Sequence, residues 1–419
     1  MLVHWIWFAH RPGLSDRAKA ALMQHFSDPE DIFYADKGAF DHLAFLTQEA
    51  RDALHDKNLI PAEEILESCS REKIHILTYR DAAYCSRLKN IADPPMVLYY
   101  KGRLPDWDAS PVIGIVGTRK ASAYGLTAAK RMGYQIGRCG GIVVSGMAFG
   151  IDGMAMAGAL TAGQTVVGVL GCGVDIVYPP SNKALFADTE QYGCILSEFA
   201  PGTPPMGYHF PKRNRIISGL SCGVLVVEAP EKSGALITAR QAAEQGRDVF
   251  AVPGNIDMPG FAGSNALLRD GAILVSSGWD VVSEYEALFP DKIRRDNTPA
   301  HLKAYPDEIS RTEEEGERKT AKVAQKPRRP APKPEETEEK TKKDIDKASF
   351  PPYSDGNKPK PKLSPDEQSI VDALQGGERL VDDVIAETGL TTGKLLASLT
   401  MLELKGLIRR LPGKRICIK

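Results

Sequence analysis

Much of what marks an enzyme or a membrane protein is missing from these 419 residues. The seven cysteines, at 69, 85, 139, 172, 194, 222 and 417, form no C-x-x-C pair and are odd in number, which supports neither a zinc site nor a disulfide framework. A reducing cytoplasm is the expected location. No G-x-G-x-x-G turn for a dinucleotide and no G-x-x-x-x-G-K-[ST] loop for a triphosphate occurs, nor does a His-x-x-x-His pair. Hydride transfer and P-loop hydrolysis are therefore disfavoured, and no cofactor is expected. Positive charge is not in excess either. The formal net charge of -1 excludes a globally basic nucleic-acid coat, so any site for a polyanion must be built from a few placed cations. Long hydrophobic runs are lacking: the apolar opening, Met1 to Ala9, is too short to span a bilayer and has no basic leader or small-residue cleavage site. Membrane insertion is not expected.

Four segments succeed one another along the chain. Residues 1–75 carry apolar positions at helical spacing over Leu14 to Phe26, Thr47 to Leu54 and Pro61 to Cys69, separated by Gly and Asp breaks. They predict a small helical domain, of the SAM or helix-hairpin-helix kind, serving either packing and oligomerisation or contact with a DNA backbone. Residues 76–288 begin with two β-like runs around a turn-rich lead-in. From Pro111 on, continuous apolar runs (Val112 to Gly117, Gly141 to Gly146, Thr165 to Gly171, Cys194 to Ser197, Val224 to Glu228, Asp248 to Pro253, Ala272 to Ser276) alternate with helical stretches. Strands of that kind are buried on both faces, which predicts an α/β fold: a doubly wound, extended Rossmann-like core with a parallel sheet. Residues 289–362 lose apolar periodicity and read as a disordered charged linker, acidic over Glu313 to Glu317 and rich in Pro and Lys/Arg over Lys326 to Lys333. Residues 363–419 read as a winged helix: helices from Ser364-Pro365, over Leu380 to Thr388 and over Thr392 to Leu404, then strands around a Pro412-Gly413 turn. The third helix carries only Lys394 and Lys405, few side chains for reading bases. The wing cations Arg409, Arg410, Lys414 and Arg415 suit a DNA backbone and a protein partner equally.

Within the core, Lys212-Arg213-Asn214-Arg215 places three cations and an amide in four residues, next to Phe210. A basic run alone is ordinarily solvated surface. In a doubly wound sheet, however, ligands sit outside the carboxyl ends of the strands, where helix N-termini present unpaired N–H groups. Four loops rich in small residues are expected at that edge: Gly117-Thr118-Arg119-Lys120, Ser145 to Gly150, Gly171 to Asp175, and Ser233-Gly234-Ala235. Each alone is a tight turn; together, beside the basic run, they point to a phosphate site. Asp152, Glu198 and Glu228 are the carboxylates of the core that invite attention, as caps and structural acceptors or as catalytic groups.

These motifs carry a resemblance. Gly117-Thr118-Arg119 with Ser122 and Tyr124-Gly125, Ser145-Gly146-Met147-Ala148-Phe149-Gly150-Ile151-Asp152, Gly171-Cys172-Gly173-Val174-Asp175 with Tyr178-Pro179, Phe210 to Gly219, Ser233 to Thr238 and Val252-Pro253-Gly254 resemble the DNA-processing protein A (DprA, or Smf) family over nearly the whole chain. The chain departs from that pattern at Tyr84-Cys85, where the family usually has Tyr-Pro. The resemblance implies a non-enzymatic mediator that binds and protects single-stranded DNA, dimerises, and helps load RecA recombinase during natural transformation. It implies that Thr118 and Arg119 meet phosphate at the first core strand and that Lys212, Arg213 and Arg215 add charge. Asn214 would bond a phosphate or base edge, Ser145, Gly146, Ser233 and Gly234 would donate, and Phe210 would stack a base or pack in the core. Arg213 alternatively pairs with Glu198 or Glu228. Two competing readings remain: a nucleotide or nucleoside-monophosphate hydrolase using Glu228 or Asp152, and a winged-helix regulator whose core senses a ligand.

Overall fold

A computed structural model describes residues 1–296 and, in the C-terminal part, 363–375, 377–390, 407–411 and 415–418 with isolated positions between 394 and 402. The expected linker, 289–362, lies almost wholly outside the described residues, as do Lys405, Lys414 and the Pro412-Gly413 turn.

Five helices lead the chain: α1 (Leu2–Ala9), α2 (Asp16–His25), α3 (Pro29–Tyr34), α4 (Gln48–His55) and α5 (Ile60–Arg71). Ser15, Asp28 and Thr47 cap three of them, each side-chain oxygen accepting a backbone N–H that the first turn leaves unpaired. The apolar opening is a buried helix: His4, Trp5, Ile6, Trp7 and Phe8 are all packed inside. Its hydrophobicity serves the core of this region.

The rest of the first body is a nine-stranded sheet. Its elements are β1 (His75–Thr78), α6 (Ser86–Lys89), β2 (Val97–Gly102), β3 (Val112–Val116), α7 (Ala123–Arg138), β4 (Ile142–Ser145), α8 (Ile151–Thr161), β5 (Val166–Val169), α9 (Lys183–Tyr192), β6 (Cys194–Ser197), α10 (His209–Leu220), β7 (Gly223–Val226), α11 (Gly234–Glu244), β8 (Asp248–Ala251), α12 (Ala262–Arg269), β9 (Ile273–Leu274) and α13 (Gly278–Val282). The strand order is β1-β2-β6-β5-β4-β3-β7-β8-β9. From β6 to β9 every neighbour is parallel, as the unbroken apolar runs predict. The lead-in differs: β1 pairs antiparallel with β2, and β2 antiparallel with β6, so the sheet is mixed at one edge. An antiparallel pair needs no crossover helix, and the short α6 suffices to join them.

Val143, Val144, Val166, Val167, Val224 and Leu225 are fully buried, each contributing about 1.5 to 3 kcal/mol of transfer free energy. Helices α7 and α8 lie in very close contact. A Cβ on Gly133 would meet the Ala155 carbonyl, and one on Gly158 the Lys130 carbonyl, so both positions require glycine for the backbones to approach.

The C-terminal body is separate. Its elements are α14 (Pro365–Ala373), β10 (Arg379–Leu380), α15 (Val381–Thr388), β11 (Ile408–Leu411) and β12 (Arg415–Ile418), with strand order β10-β12-β11. Ser364 and Glu367 form a reciprocal capping box at the start of α14, and Gly389 ends α15 in the left-handed conformation at φ 64°. Ile370, Leu374, Val384, Leu395, Leu399, Leu402, Ile408 and Ile416 form its core. The helix expected over 392–404 lies partly outside the described residues, but Leu395, Leu399 and Leu402 have the burial it requires.

Candidate nucleic-acid interface

The strand order reverses between β3 and β7: strands β3 to β6 run outward in one direction and β7 to β9 in the other. The loops leaving two such neighbours diverge to opposite faces and open a crevice at the carboxyl edge. Here that crevice has a volume of ≈ 330 Å³, lined by Gly117-Thr118-Arg119 after β3, by Pro230 and Lys232 to Ala235 after β7, and by Phe210, Arg213 and Asn214 from α10.

Arg119 is exposed, and its guanidinium carbon stands 4.9 Å from the centroid of the Phe210 ring. Phe210 in turn lies near-parallel to Tyr178, at 5.7 Å and 27°. The small residue Gly171 permits this, since a Cβ there would stand 2.9 Å from the Phe210 ring. Opposite, Ser233 caps α11 by accepting the Ala235 N–H at 3.3 Å, and Gly234 faces open space. An eleven-residue helix thus directs its N-terminus at the crevice, where N–H groups and the helix dipole favour an anion. Lys232 is exposed at the same wall. It was not among the expected site residues, although a cation one position before a helix cap at a strand end is a sequence signal for it. The Thr118 hydroxyl accepts from the Lys120 N–H at 3.2 Å, folding this loop back on itself.

Other expected residues have different duties. The Ser145 hydroxyl is buried and donates to the Ile115 carbonyl at 2.6 Å, stitching β4 to β3. The Gly146 N–H donates to Asp152 at 3.1 Å. Arg213 is buried, donating to the carbonyls of Gly146 at 2.9 Å and of Val169, and through Nε to Asn214 Oδ1 at 3.2 Å. Burial pulls its pKa down to about 10 against the attraction of Asp152, so it stays charged at neutral pH. Burial pushes the Asp152 carboxyl up, opposed by Arg213 and by the N–H groups of Gly146 and Gly117. Arg213 and Asp152 form the floor of the crevice.

Lys212 and Arg215 do not line it. Arg215 bonds Glu198 at 2.8 and 3.1 Å and reaches Asp16 and Asp93, both at 3.3 Å; Lys212 Nζ stands 2.9 Å from Asp16 and 3.4 Å from Glu198. Burial opposes both charges, yet Glu198 and Asp16 outweigh it and raise both pKa values. The pairing of Glu198 therefore goes to Arg215 and Lys212, where Arg213 had been its expected partner. Glu228 accepts from the Ser122 N–H and hydroxyl, the latter at 2.8 Å, and is likewise no partner of Arg213. The basic run is thus divided between a crevice and an ion-pair cluster that joins α2 to α10.

A largely parallel sheet with an aromatic-bearing crevice at its switch point, and a small winged-helix body, define a two-part α/β protein. Residues 75–286 match the family described as DNA recombination-mediator protein A, and residues 355–414 match the DprA winged helix domain. Protein Smf of Synechocystis sp. is 31% identical over 98% of this chain and 97% of its own length. DNA processing protein DprA of Bacillus subtilis is 43% identical over 52% of this chain and 74% of its own. The X-ray structure of DNA processing protein A from Streptococcus pneumoniae aligns with a TM-score of 0.60 at 33% identity, over 68% of this chain and 98% of that one. The chain belongs to the DNA recombination-mediator protein A (DprA/Smf) family.

Among the described residues, no helix is long and apolar enough to cross a membrane.

Proposed function

We propose that this chain binds single-stranded DNA in the β3–β7 crevice, protects the strand and delivers it to RecA recombinase, as a cytoplasmic homodimer that cleaves nothing. The observation that carries this reading is the exposed Arg119 guanidinium over the Phe210 ring, beside Lys232 and the α11 N-terminus. One crevice then offers cations and N–H groups to phosphate, and the planar Arg119–Phe210 pair as a stacking surface for an unpaired base. Stacking holds any base and requires it to be free of a duplex, worth about 1 to 3 kcal/mol per base. Thr118, Ser233, Gly234 and Asn214 line the same space, whereas Ser145, Gly146 and Arg213 support it from beneath.

The test is a titration of single- and double-stranded oligonucleotides at matched salt with wild type, Arg119→Ala and Phe210→Ala, followed by RecA filament growth on strands coated with a single-strand-binding protein. Tighter binding of single strands, weakened in both variants, and faster filament growth with wild type are expected. Unchanged binding by Arg119→Ala would remove the crevice from the function. A hydrolase would need Glu228 or Asp152, but both carboxylates already accept structural hydrogen bonds. Incubation with nucleoside monophosphates should release no base; turnover lost in Glu228→Gln would replace the mediator reading with an enzymatic one.

A further inference from the structure

Next to the crevice, the start of α10 builds a second aromatic array that the crevice does not use. Phe210 turns into the crevice and lies on Tyr178. The preceding residue, His209, stacks instead on Phe199 at 4.1 Å and 29°, and its Nδ1 lies 3.1 Å from the Gly171 carbonyl. Tyr208 packs edge-on against His209 at 4.5 Å and 76°, yet 70% of its surface is open to solvent. The Lys212 ammonium stands 5.9 Å from the Phe199 ring centroid. The loop that delivers Tyr208 contains Pro201, Pro204 and Pro205, whose fixed φ angles restrict its motion.

A ring this exposed buries little area, so core packing does not account for it. Its base is nevertheless fixed by an edge contact to a buried, hydrogen-bonded imidazole. Position and exposure match what an unpaired nucleobase requires, a planar aromatic face open to solvent on a fixed support. The array also follows on from Phe210 without a break in the chain.

We propose that the bound strand continues from the crevice onto Tyr208, which stacks a second unpaired base beside the His209–Phe199 pair. This rests on the single-strand reading of the crevice. Two stacking positions on one helix start then set the direction in which the strand crosses the carboxyl edge, from the β3–β7 side towards β6.

The experiment uses the full chain and oligothymidylates of about 4 and about 16 nucleotides, the range one small binding fold covers. Tyr208→Ala should leave affinity for the short oligomer unchanged and weaken the long one about fivefold or more, with Tyr208→Phe restoring it. Arg119→Ala should weaken both. In Tyr208→Trp, indole fluorescence should be quenched by the long oligomer and not by the short one. If Tyr208→Ala binds the long oligomer like wild type while Arg119→Ala weakens both, the second position is wrong and the crevice stands. Were Arg119→Ala also to bind both normally, the crevice reading itself would fail. A change of oligomeric state in Tyr208→Ala with unchanged DNA affinity would assign the ring to a protein contact and overturn the proposal. Because Tyr208 is largely exposed, none of these variants threatens folding.

Discussion

Arg213 and Arg215 stand two residues apart on α10 and take different partners: Arg213 holds the carbonyls of Gly146 and Val169, while Arg215 holds the carboxylates of Glu198, Asp16 and Asp93. A two-residue step turns a helix by about 200°, so neighbours of this kind face opposite sides. One helix thereby fixes the floor of the crevice and ties the sheet to the N-terminal helices.

Replacing Arg213 by Ala leaves two buried carbonyl acceptors and Asp152 without a cation. Each unpaired buried acceptor costs about 1 to 3 kcal/mol, so Arg213→Ala should lower the midpoint of urea unfolding substantially and lose DNA affinity with it. Phe210→Ala, at a partly exposed position, should lose affinity with little change in that midpoint.

Asp16 sets a pH dependence. Burial opposes its ionisation, but Lys19, Lys212 and Arg215 prevail and lower its pKa from 3.8 to about 2. Between those values the unfolded chain binds more protons than the folded one, so stability is present above the unfolded pKa and is lost as pH falls through the folded one. The contribution is about 2 kcal/mol. Unfolding of wild type and Asp16→Asn, followed from neutral pH down to the folded pKa, should show their difference shrinking over that window.

Salt dependence separates the two groups of cations. For a single strand, each phosphate-contacting cation removed should reduce the slope of log affinity against log salt by about 0.7. Arg119→Ala and Lys232→Ala should each show that loss. Lys212→Ala should show a smaller one, because its ammonium is already held between Asp16 and Glu198. Fluorescence anisotropy over a salt series reads this directly.

Removing residues 363–419 should leave single-strand affinity at matched salt unchanged if the crevice carries binding. Loss of binding on truncation would transfer the function to the winged-helix body.

The legible parts of the sequence were those whose physics is local. Runs such as Val143-Val144 and Val166-Val167 announce strands covered on both faces, and Ser364-Pro365 announces a helix start, which Ser364 caps. The loops after β3 and β7 were legible as lining the carboxyl edge because their small residues follow apolar runs. The apolar opening gave no helical period to read, since α1 buries five successive residues instead of one stripe. The antiparallel pairing of β1 and β2 was likewise invisible, because pairing direction depends on which strand the lead-in meets in space.

By itself, then, the sequence determined the alternation of strands and helices, the winged-helix pattern of the tail and the presence of cations near the carboxyl edge of the sheet. Only the tertiary structure decided which cations reach that edge. Lys212, Arg213 and Arg215 are chemically alike along the chain, but helical rotation sends them to different neighbours. Asp16 of α2, together with Glu198 and Asp93, neutralises two of them, burial under Gly146 and Val169 claims the third, and Arg119 and Lys232 remain at the open wall.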